Sequence, residues 1–332
     1  MNNLIKITFF VFLLSCGQDI NYENNIKEDL IFLADDKLEG RKTGTEGEKL
    51  AAKYISDRFE KLNLSDKGTK NYYQDFYFGN NNNPHEEIEF NKESDNSQIH
   101  ARNVVGFLDN GGSNTVVIGA HYDHLGYGEE SSLYFGDEVL IHNGADDNAS
   151  GTCLLLDLAN RLATKELKSN YLFIAFSGEE MGLLGSNYFL KNPTVSKDEI
   201  NYMINMDMVG RLNEENKLSV SGVGSAKIFK QIVNSNNSNF NLVEFGSSST
   251  SSFGSSDHAS FYYEDIPVLS FFTGQHEDYH KPSDDYDKIN FEGIELISDY
   301  IEDIIEELDS MDKLEFIKAE ETKNATPRFK VG

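Results

Sequence analysis

The sequence predicts an α/β fold, a three-layer α/β/α sandwich around a mixed, mostly parallel central sheet. The first observation is that short apolar segments, such as YLFIAF at 171–176, alternate along the chain with segments of helical spacing. Strands that alternate with helices favour a largely parallel sheet covered by helices. The second is that the chain has 332 residues, is 39% hydrophobic and shows no linker. We therefore expect one domain, from about residue 26 to 312, and a polar tail at 313–332.

The first part of the domain is predicted to contain two helices and then strands. IKEDLIFLADD at 26–36 and TEGEKLAAKYISDRFEKLNL at 45–64 have helical spacing. Residues 64–100 are polar, and GNNNNPHEEIEFNKESDNS at 79–97 indicates a loop or hairpin. NVVGFLD at 103–109 and TVVIGA at 115–120 are predicted strands. Because Asn-Gly-Gly lies between them, we expect these two strands to pair as a hairpin.

The second part continues the alternation of helices and strands. Predicted strands are YLFIAF, INYMINM at 200–206, KLSVSG at 217–222 and IPVLSFF at 266–272; predicted helices are 151–163, Leu183–Leu190, Ala226–Asn234 and the amphipathic segment 291–311. The Ser- and Asn-rich segment 234–258 has two interpretations, a mobile loop beside a site or a plain solvated loop.

Residues 1–15 have the form of a lipoprotein signal peptide. One lysine precedes a short apolar run, Ile7 to Leu14, which is too short for a membrane-spanning helix. LLSC at 13–16 resembles a bacterial lipobox, which would make Cys16 the lipidated first residue and 16–25 a tether. We expect an exported protein, lipid-anchored at the bacterial cell envelope on the periplasmic or outer surface. The alternative is an ordinary signal peptide with an incidental cysteine.

Charge and cysteine content exclude several classes of function. The net charge is -27, from 56 acidic and 29 basic residues, so nucleic acid is not an expected partner. Besides Cys16 the chain has only Cys153, which lies in an apolar run and is predicted to be a small core residue. The mature chain therefore has no intramolecular disulfide, and nothing supports a thiolate metal site or a catalytic thiol.

Acids and histidines follow the predicted strands, at the point where each strand ends. TVVIGA is followed by His121-Tyr-Asp123, YLFIAF by Ser-Gly-Glu179-Glu180, and INYMINM by Asp207. His280 follows IPVLSFF, and a further loop places Asp146 and Asp147 just before a helix. In open α/β sheets, ligands bind at the carboxyl ends of the strands. We therefore expect these side chains to meet at one edge of the sheet.

Such a cluster of acids needs a positive partner, and a metal ion provides one. Carboxylate and imidazole ligands without thiolate suit zinc, manganese or cobalt. Of the adjacent Glu179 and Glu180, one can bind the metal while the other acts as a general base. Asp123 can accept a hydrogen bond from the other ring nitrogen of His121. Each motif alone has an ordinary explanation, as a core histidine, a helix cap or a solvated acid pair.

Together the motifs resemble peptidase family M28, the aminopeptidases with two co-catalytic zinc ions. The resemblance covers about residues 100–290, and LEGRKTGTEGEKLAAKYI resembles the family's N-terminal helix region. The motifs that carry it, in order, are GAHYDHLG, NGADDNASGT, AFSGEEMGLLGS, MINMDMVGR and SSDHASFYYEDIPVLSFFTGQHEDYHKPSDDYDKIN. The resemblance implies the zinc-peptidase, or phosphorylase/hydrolase-like, sandwich and peptide substrates with a free N-terminus.

The resemblance also implies a role for each residue. Two Zn²⁺ ions, with Mn²⁺ or Co²⁺ as possible substitutes, would be bound by His121 and Asp207 at one position, by Glu180 and His280 at the other, and by Asp147 as the bridge. Glu179 would be the general base for the water that the zinc ions hold. Tyr279 would donate to the oxyanion and Asp123 would orient His121, whereas Asp146 would be only a neighbour. Asp147–Asn148 is a candidate cis peptide bond.

Other functions remain open at this point. A glutaminyl cyclase of the same fold would use one zinc, although the chain has no tryptophan, which those pockets tend to use. A carboxypeptidase or dipeptidase of this fold is a further candidate, as is a non-enzymatic binding module. Asp257 and His258 resemble positions near the substrate or cap a helix. Three further histidines are expected in surface or loop positions: His124, His142 and His276.

Overall fold

The computed structural model describes residues 26–79, 89–91, 98–245 and 256–318. The predicted signal peptide, the tether that includes Cys16 and residues 319–332 lie outside these ranges. Within them, no helix combines the length and apolar character that crossing a membrane requires.

A single sheet of ten strands forms the centre of the described part of the chain. The strands are β1 (Ser65–Asp66), β2 (Tyr73–Gly79), β3 (Phe90–Asn91), β4 (Gln98–Leu108), β5 (Thr115–His121), β6 (Asn170–Phe176), β7 (Ile200–Met206), β8 (Lys217–Ser221), β9 (Asn241–Phe245) and β10 (Val268–Phe272). Their order is β3-β2-β4-β6-β5-β7-β10-β8-β9, and β1 pairs with β4. The four central strands, β6, β5, β7 and β10, are parallel, and the antiparallel pairs flank them.

Helices cover both faces of this sheet. They are α1 (Ile26–Leu33), α2 (Glu46–Lys61), α3 (Gly151–Leu162), α4 (Leu184–Lys191), α5 (Phe229–Ser235), α6 (His258–Tyr263) and α7 (Phe291–Asp309). Successive residues of β5 show the two layers: Val116 and Ile118 pack in the cluster with α3 and α7, and Val117 packs with α4 and α6. Since both faces are buried, the central strands are mostly apolar. The predicted three-layer sandwich is confirmed.

The predicted hairpin between residues 103–109 and 115–120 is wrong. β6 lies between β4 and β5, antiparallel to the first and parallel to the second. The connection passes over the start of β6, where the Asn170 side chain accepts hydrogen bonds from the backbone N–H groups of Asn110 and Gly112, each at 3.0 Å. The Asn-Gly-Gly sequence therefore forms a turn, but the turn spans an inserted strand.

Three segments contain more structure than the sequence suggested. The polar segment 64–100 contains β2, which pairs with β4 over seven residues. The Ser- and Asn-rich segment 234–258 contains β9, whereas residues 246–255 lie outside the described ranges. The first residues of the predicted tail are also packed, because Ile317 donates to the backbone carbonyl of Ser225 at 2.9 Å.

Candidate metal centre and active site

The parallel strands bring the predicted ligands to one edge of the sheet. His121 is the last residue of β5, Asp207 directly follows β7, and the turn with Glu179 and Glu180 follows β6. Because β5, β6 and β7 are parallel neighbours, their carboxyl ends coincide. Asp147 lies in an irregular helical turn, Ala145–Ser150, that precedes α3.

The first group of potential ligands surrounds Nε2 of His121. This nitrogen lies 3.3 Å from Oδ1 of Asp147 and 3.5 Å from Oδ1 of Asp207. It lies 4.0 Å from Oε2 of Glu179. Ligand atoms of His121, Asp147 and Asp207 all fall within 4.8 Å of one another, close enough to share one ion.

The second group surrounds Nε2 of His280. This atom lies 3.3 Å from Oδ2 of Asp147 and 3.4 Å from Oε2 of Glu180. The other ring nitrogen of His280 lies 2.8 Å from the backbone carbonyl of Ser131, and that contact directs Nε2 toward the two carboxylates. Each group thus combines one imidazole, one terminal carboxylate and one oxygen of Asp147.

His124 is a residue of this site that sequence reasoning missed. It is buried, not at the surface, and its Nδ1 lies 2.8 Å from Oε1 of Glu180. Burial lowers the pKa of His124 to about 3. Its placement within reach of both Asp147 and Glu180 makes it either a support for Glu180 or a further ligand of the second group. The signal for it was its position in HYDH, one residue after Asp123.

The donor set fits zinc. Nε2 of His121 is buried and has no hydrogen-bond partner among the described residues, although carboxylate oxygens surround it. A buried ring nitrogen in this state is costly unless it binds a ligand. Imidazole nitrogens and carboxylate oxygens are ligands that zinc accepts, and a metal ion would also relieve the repulsion among the acids.

The site carboxyls and imidazoles shift one another's pKa values in opposite directions. Burial raises the pKa of Glu179 and Glu180 well above the ordinary value. Burial acts to lower the pKa of His121, but Glu179 and Asp207 hold it well above its usual range. Burial likewise acts to raise the pKa of Asp147, yet the close imidazoles of His121 and His280 keep it well below the ordinary value. Such opposed shifts in one cleft are typical of functional sites.

Asp123 contacts His121 differently from the prediction. Nδ1 of His121 is nearer to the backbone carbonyl of Asp123, at 3.2 Å, than to its carboxylate, at 3.7 Å. The carboxylate instead accepts hydrogen bonds from the Thr43 hydroxyl at 2.9 Å and from the backbone N–H of Glu179 at 3.1 Å. Asp123 thereby connects the segment after β5 with the turn that carries Glu179.

The turn that carries Asp147 is fixed from several sides. The Asp147–Asn148 peptide bond is cis, as predicted. The Asn148 side chain donates to the backbone carbonyl of Met206 at 2.9 Å, next to Asp207. The carboxylate of Asp284 accepts hydrogen bonds from the backbone N–H groups of Asp146, at 3.0 Å, and of Asp147, at 3.1 Å.

Arg41 is a second residue that sequence reasoning missed. It is only 1% exposed, and its guanidinium donates to the backbone carbonyls of Tyr122 at 2.7 Å, Asn143 at 2.6 Å and Gly144 at 3.0 Å. It therefore joins the segment after His121 to the segment before Asp147. Burial lowers its pKa to about 10, so it stays charged at neutral pH and offsets the nearby carboxylates.

Asp146 and His276 form a pair beneath Asp147. Nε2 of His276 lies 3.0 Å from Oδ2 of the fully buried Asp146. The other oxygen of Asp146 accepts from the backbone N–H of Gly210 at 2.6 Å. His276, expected in a surface or loop position, therefore connects the loop that leads to His280 with the turn that carries Asp147. His142 is also buried, and its Nε2 lies 2.7 Å from the Ser132 hydroxyl.

A cavity of about 280 Å³ opens onto both ligand groups. Tyr279 lines it, and the Tyr279 ring stacks on the ring of His280 at 3.9 Å between centroids. Burial raises the pKa of Tyr279 above its ordinary value, so its hydroxyl stays protonated. His258 lines the same cavity. Asp257 precedes α6 and is buried, but its side chain makes no capping hydrogen bond, so the helix-cap interpretation is wrong.

Comparison with known proteins agrees with this geometry. A family model described as "Peptidase family M28" matches residues 103–305. Aminopeptidase YwaD of Bacillus subtilis (strain 168) is 31% identical over 175 residues, which cover 50% of this chain and 38% of that protein. The chain thus spans well under two thirds of the length of this curated relative.

Two solved structures share the fold. A zinc aminopeptidase from Bacillus subtilis, BSAP, superposes with a TM-score of 0.63 at 16% identity, over 89% of this chain and 97% of that one. A glutaminyl cyclase from Bacteroides thetaiotaomicron, bound to N-acetylhistamine, superposes with a TM-score of 0.67 at 17% identity, over 86% of this chain and 97% of that one. At these identities the likeness shows the fold alone.

Proposed function

The chain belongs to peptidase family M28, and we propose that it is a zinc-dependent aminopeptidase that removes N-terminal residues from peptides. The proposal depends on one observation: the two carboxylate oxygens of Asp147 face two separate ligand groups. His121 and Asp207 would hold one zinc ion, Glu180 and His280 a second, and Asp147 would bridge them. Bound there, zinc supplies Lewis acidity, which polarises a carbonyl oxygen and makes water a stronger acid.

Glu179 is placed to move the proton. Oε2 of Glu179 lies 4.0 Å from Nε2 of His121, and the neighbouring Glu180 belongs to the second group. Glu179 therefore stays free of both ligand sets. Because burial raises its pKa, a Glu179 oxygen readily accepts a proton from the attacking water. The same oxygen then returns that proton to the leaving amine. The backbone hydrogen bond to Asp123 keeps Glu179 in place.

Two further features favour an aminopeptidase. The Tyr279 hydroxyl, which lines the cavity and stays protonated, can donate to the oxyanion that forms as the peptide carbonyl is attacked. The acids that line the cavity attract a positively charged α-amine, and an acylated N-terminus lacks this charge. Peptides with a free N-terminus are therefore the expected substrates.

A glutaminyl cyclase is the second candidate, since a cyclase shares the fold. The completeness of both ligand groups favours the peptidase, because a cyclase needs only one. The test is to incubate the zinc-loaded protein with a free-amine tripeptide, its N-acetylated form and a peptide with N-terminal glutamine. Hydrolysis of the free-amine peptide alone supports the proposal. Release of ammonia from the glutamine peptide without peptide cleavage would reverse the assignment.

We also propose that the mature chain is attached to a membrane of the cell envelope through lipidated Cys16. LLSC at 13–16 and the preceding apolar run support this. Full-length protein expressed in a bacterium should incorporate labelled fatty acid and fractionate with membranes, whereas Cys16→Ala should do neither. Equal fatty-acid labelling of the two proteins would contradict attachment at Cys16.

A further inference from the structure

The inner wall of the cavity in front of the metal-binding groups combines apolar side chains with a set of serines. Away from the site acids and histidines, Ser221, Ser256 and Ser270 line it together with Met208 and Phe272. The described residues of the wall include no lysine or arginine, and its acids are the four carboxylates of the catalytic site. The side chain of a substrate's N-terminal residue must lie within this cavity if the α-amine and the scissile carbonyl reach the ligand groups.

The sheet places the three serines together. Ser221 of β8 and Ser270 of β10 are direct partners across an antiparallel pair, so their side chains leave the same face of the sheet. Asn205 of β7 is the partner of Ser270 on its other side. The Asn205 amide donates to the Ser256 hydroxyl at 2.9 Å and to the Ser270 hydroxyl at 3.5 Å.

These hydrogen bonds leave the serine hydroxyls as donors. Since the oxygens of Ser256 and Ser270 already accept from Asn205, each retains one O–H to donate. No described residue accepts a hydrogen bond from either hydroxyl, and both side chains are nearly inaccessible to solvent. A buried donor without an acceptor is costly, so the cavity favours an occupant that carries an acceptor oxygen.

We propose that this cavity selects peptides whose N-terminal residue has an uncharged side chain with a hydroxyl or amide group, as in threonine and asparagine. The inference rests on the proposed aminopeptidase function and adds the substrate class. A branched aliphatic side chain leaves the serine donors unsatisfied. An acidic side chain meets the site carboxylates, which repel it. A basic side chain finds no carboxylate in the described wall beyond the three that would hold the metal ions and Glu179, which the proton transfer requires.

Two isosteric pairs of substrates isolate the hydrogen bond. Tripeptides Xaa-Ala-Ala with threonine or valine, and with asparagine or leucine, at Xaa differ in polarity but keep the same side-chain branching. For the zinc-loaded protein we expect kcat/KM to favour threonine over valine and asparagine over leucine by about 3- to 10-fold. In the Ser256→Ala, Ser270→Ala double variant, which lacks both donor hydroxyls, both ratios should fall to about 1. Ser219→Ala is the matched control, because Ser219 is a buried serine of β8 that does not line the cavity.

Calorimetric binding of free threonine and valine, the products of such cleavage, gives a readout independent of turnover. Tighter binding of threonine that is lost in the double variant and kept in Ser219→Ala supports the inference. Efficient hydrolysis of the valine and leucine peptides, at rates equal to or above those of the threonine and asparagine peptides, overturns the inference. A preference for threonine and asparagine that is unchanged in the double variant overturns it as well. Threonine-selective binding without cleavage of any free-amine tripeptide would instead contradict the proposed function and leave the cavity's selectivity supported.

Discussion

The two carboxylate oxygens of Asp147 face two different histidines, Oδ1 at 3.3 Å from Nε2 of His121 and Oδ2 at 3.3 Å from Nε2 of His280. A carboxylate that serves only as a helix cap or in one ion pair does not need this division. Here it sets Asp147 between two groups of ligands, each completed by a separate acid. The division is the structural basis for proposing a bridged two-metal site.

The role of Glu179 as general base can be tested without loss of the metal site. Glu179→Gln should retain zinc, because both ligand groups are intact, and should reduce kcat by ~100-fold or more. Metal analysis and steady-state kinetics on the same preparation measure both effects. Glu214→Gln, at an exposed loop position, is the control and should match the wild type. Near-normal turnover of Glu179→Gln would refute the base assignment.

Replacement of Arg41 should show that it braces the site. Arg41→Lys cannot satisfy the backbone carbonyls of Tyr122, Asn143 and Gly144 at once. Because these groups are buried, we expect the free energy of unfolding in urea to fall by about 3 kcal/mol. Arg161→Lys, at a more exposed ion-pair site, should cost about 1 kcal/mol or less. Equal losses in the two variants would argue against a bracing role.

The contact between Asp146 and His276 predicts energetic coupling. A double-mutant cycle of Asp146→Asn and His276→Gln, measured by urea unfolding, should give a coupling energy of about 1–2 kcal/mol, since the pair is largely buried. The cycle of Asp146→Asn with Lys227→Gln, an exposed position on the surface, should be additive. Additivity in the first cycle would show that the pair does not join the two loops.

Glu48 predicts a pH dependence of stability. It is buried, and burial raises its pKa from 4.5 to about 8, although hydrogen bonds from Ser177, Gly44 and Tyr122 oppose the shift. Between these values the folded state holds the proton and the unfolded state does not, so stability falls as pH rises from 4.5 to 8 and then levels off.

Glu48→Gln removes this titration. The difference in unfolding free energy, wild type minus Glu48→Gln, should therefore decrease by ~4 kcal/mol between pH 4.5 and 8. Taking the difference cancels the other titrating groups. A difference that is flat with pH, or that increases, would mean that Glu48 is ionised in the folded protein.

The parts of the site that could be predicted are those that depend on local sequence. His121 ends one apolar strand, and Glu179 and Asp207 follow two others, so parallel strands must bring all three to one edge. The hairpin prediction failed because pairing depends on a strand about sixty residues later, at 170–176, which enters between its two members. No local pattern reports such an insertion.

The supporting contacts could not be predicted for the same reason. Arg41 acts on carbonyls 81 to 103 residues away in the sequence, and its role appears only once the segments meet. His124 and His276 are single polar residues whose burial depends on partners from other loops, Glu180 and Asp146. Residue type alone favours a surface position for each of them.

The most direct test of the two-metal site is the location of zinc in crystals of the zinc-loaded protein, from anomalous difference maps at the zinc absorption edge. We expect two peaks on either side of the Asp147 carboxylate, each about 2 Å from one of its oxygens. One peak should also adjoin His121 and Asp207, and the other Glu180 and His280. A single peak, or zinc bound away from Asp147, would contradict the bridged site.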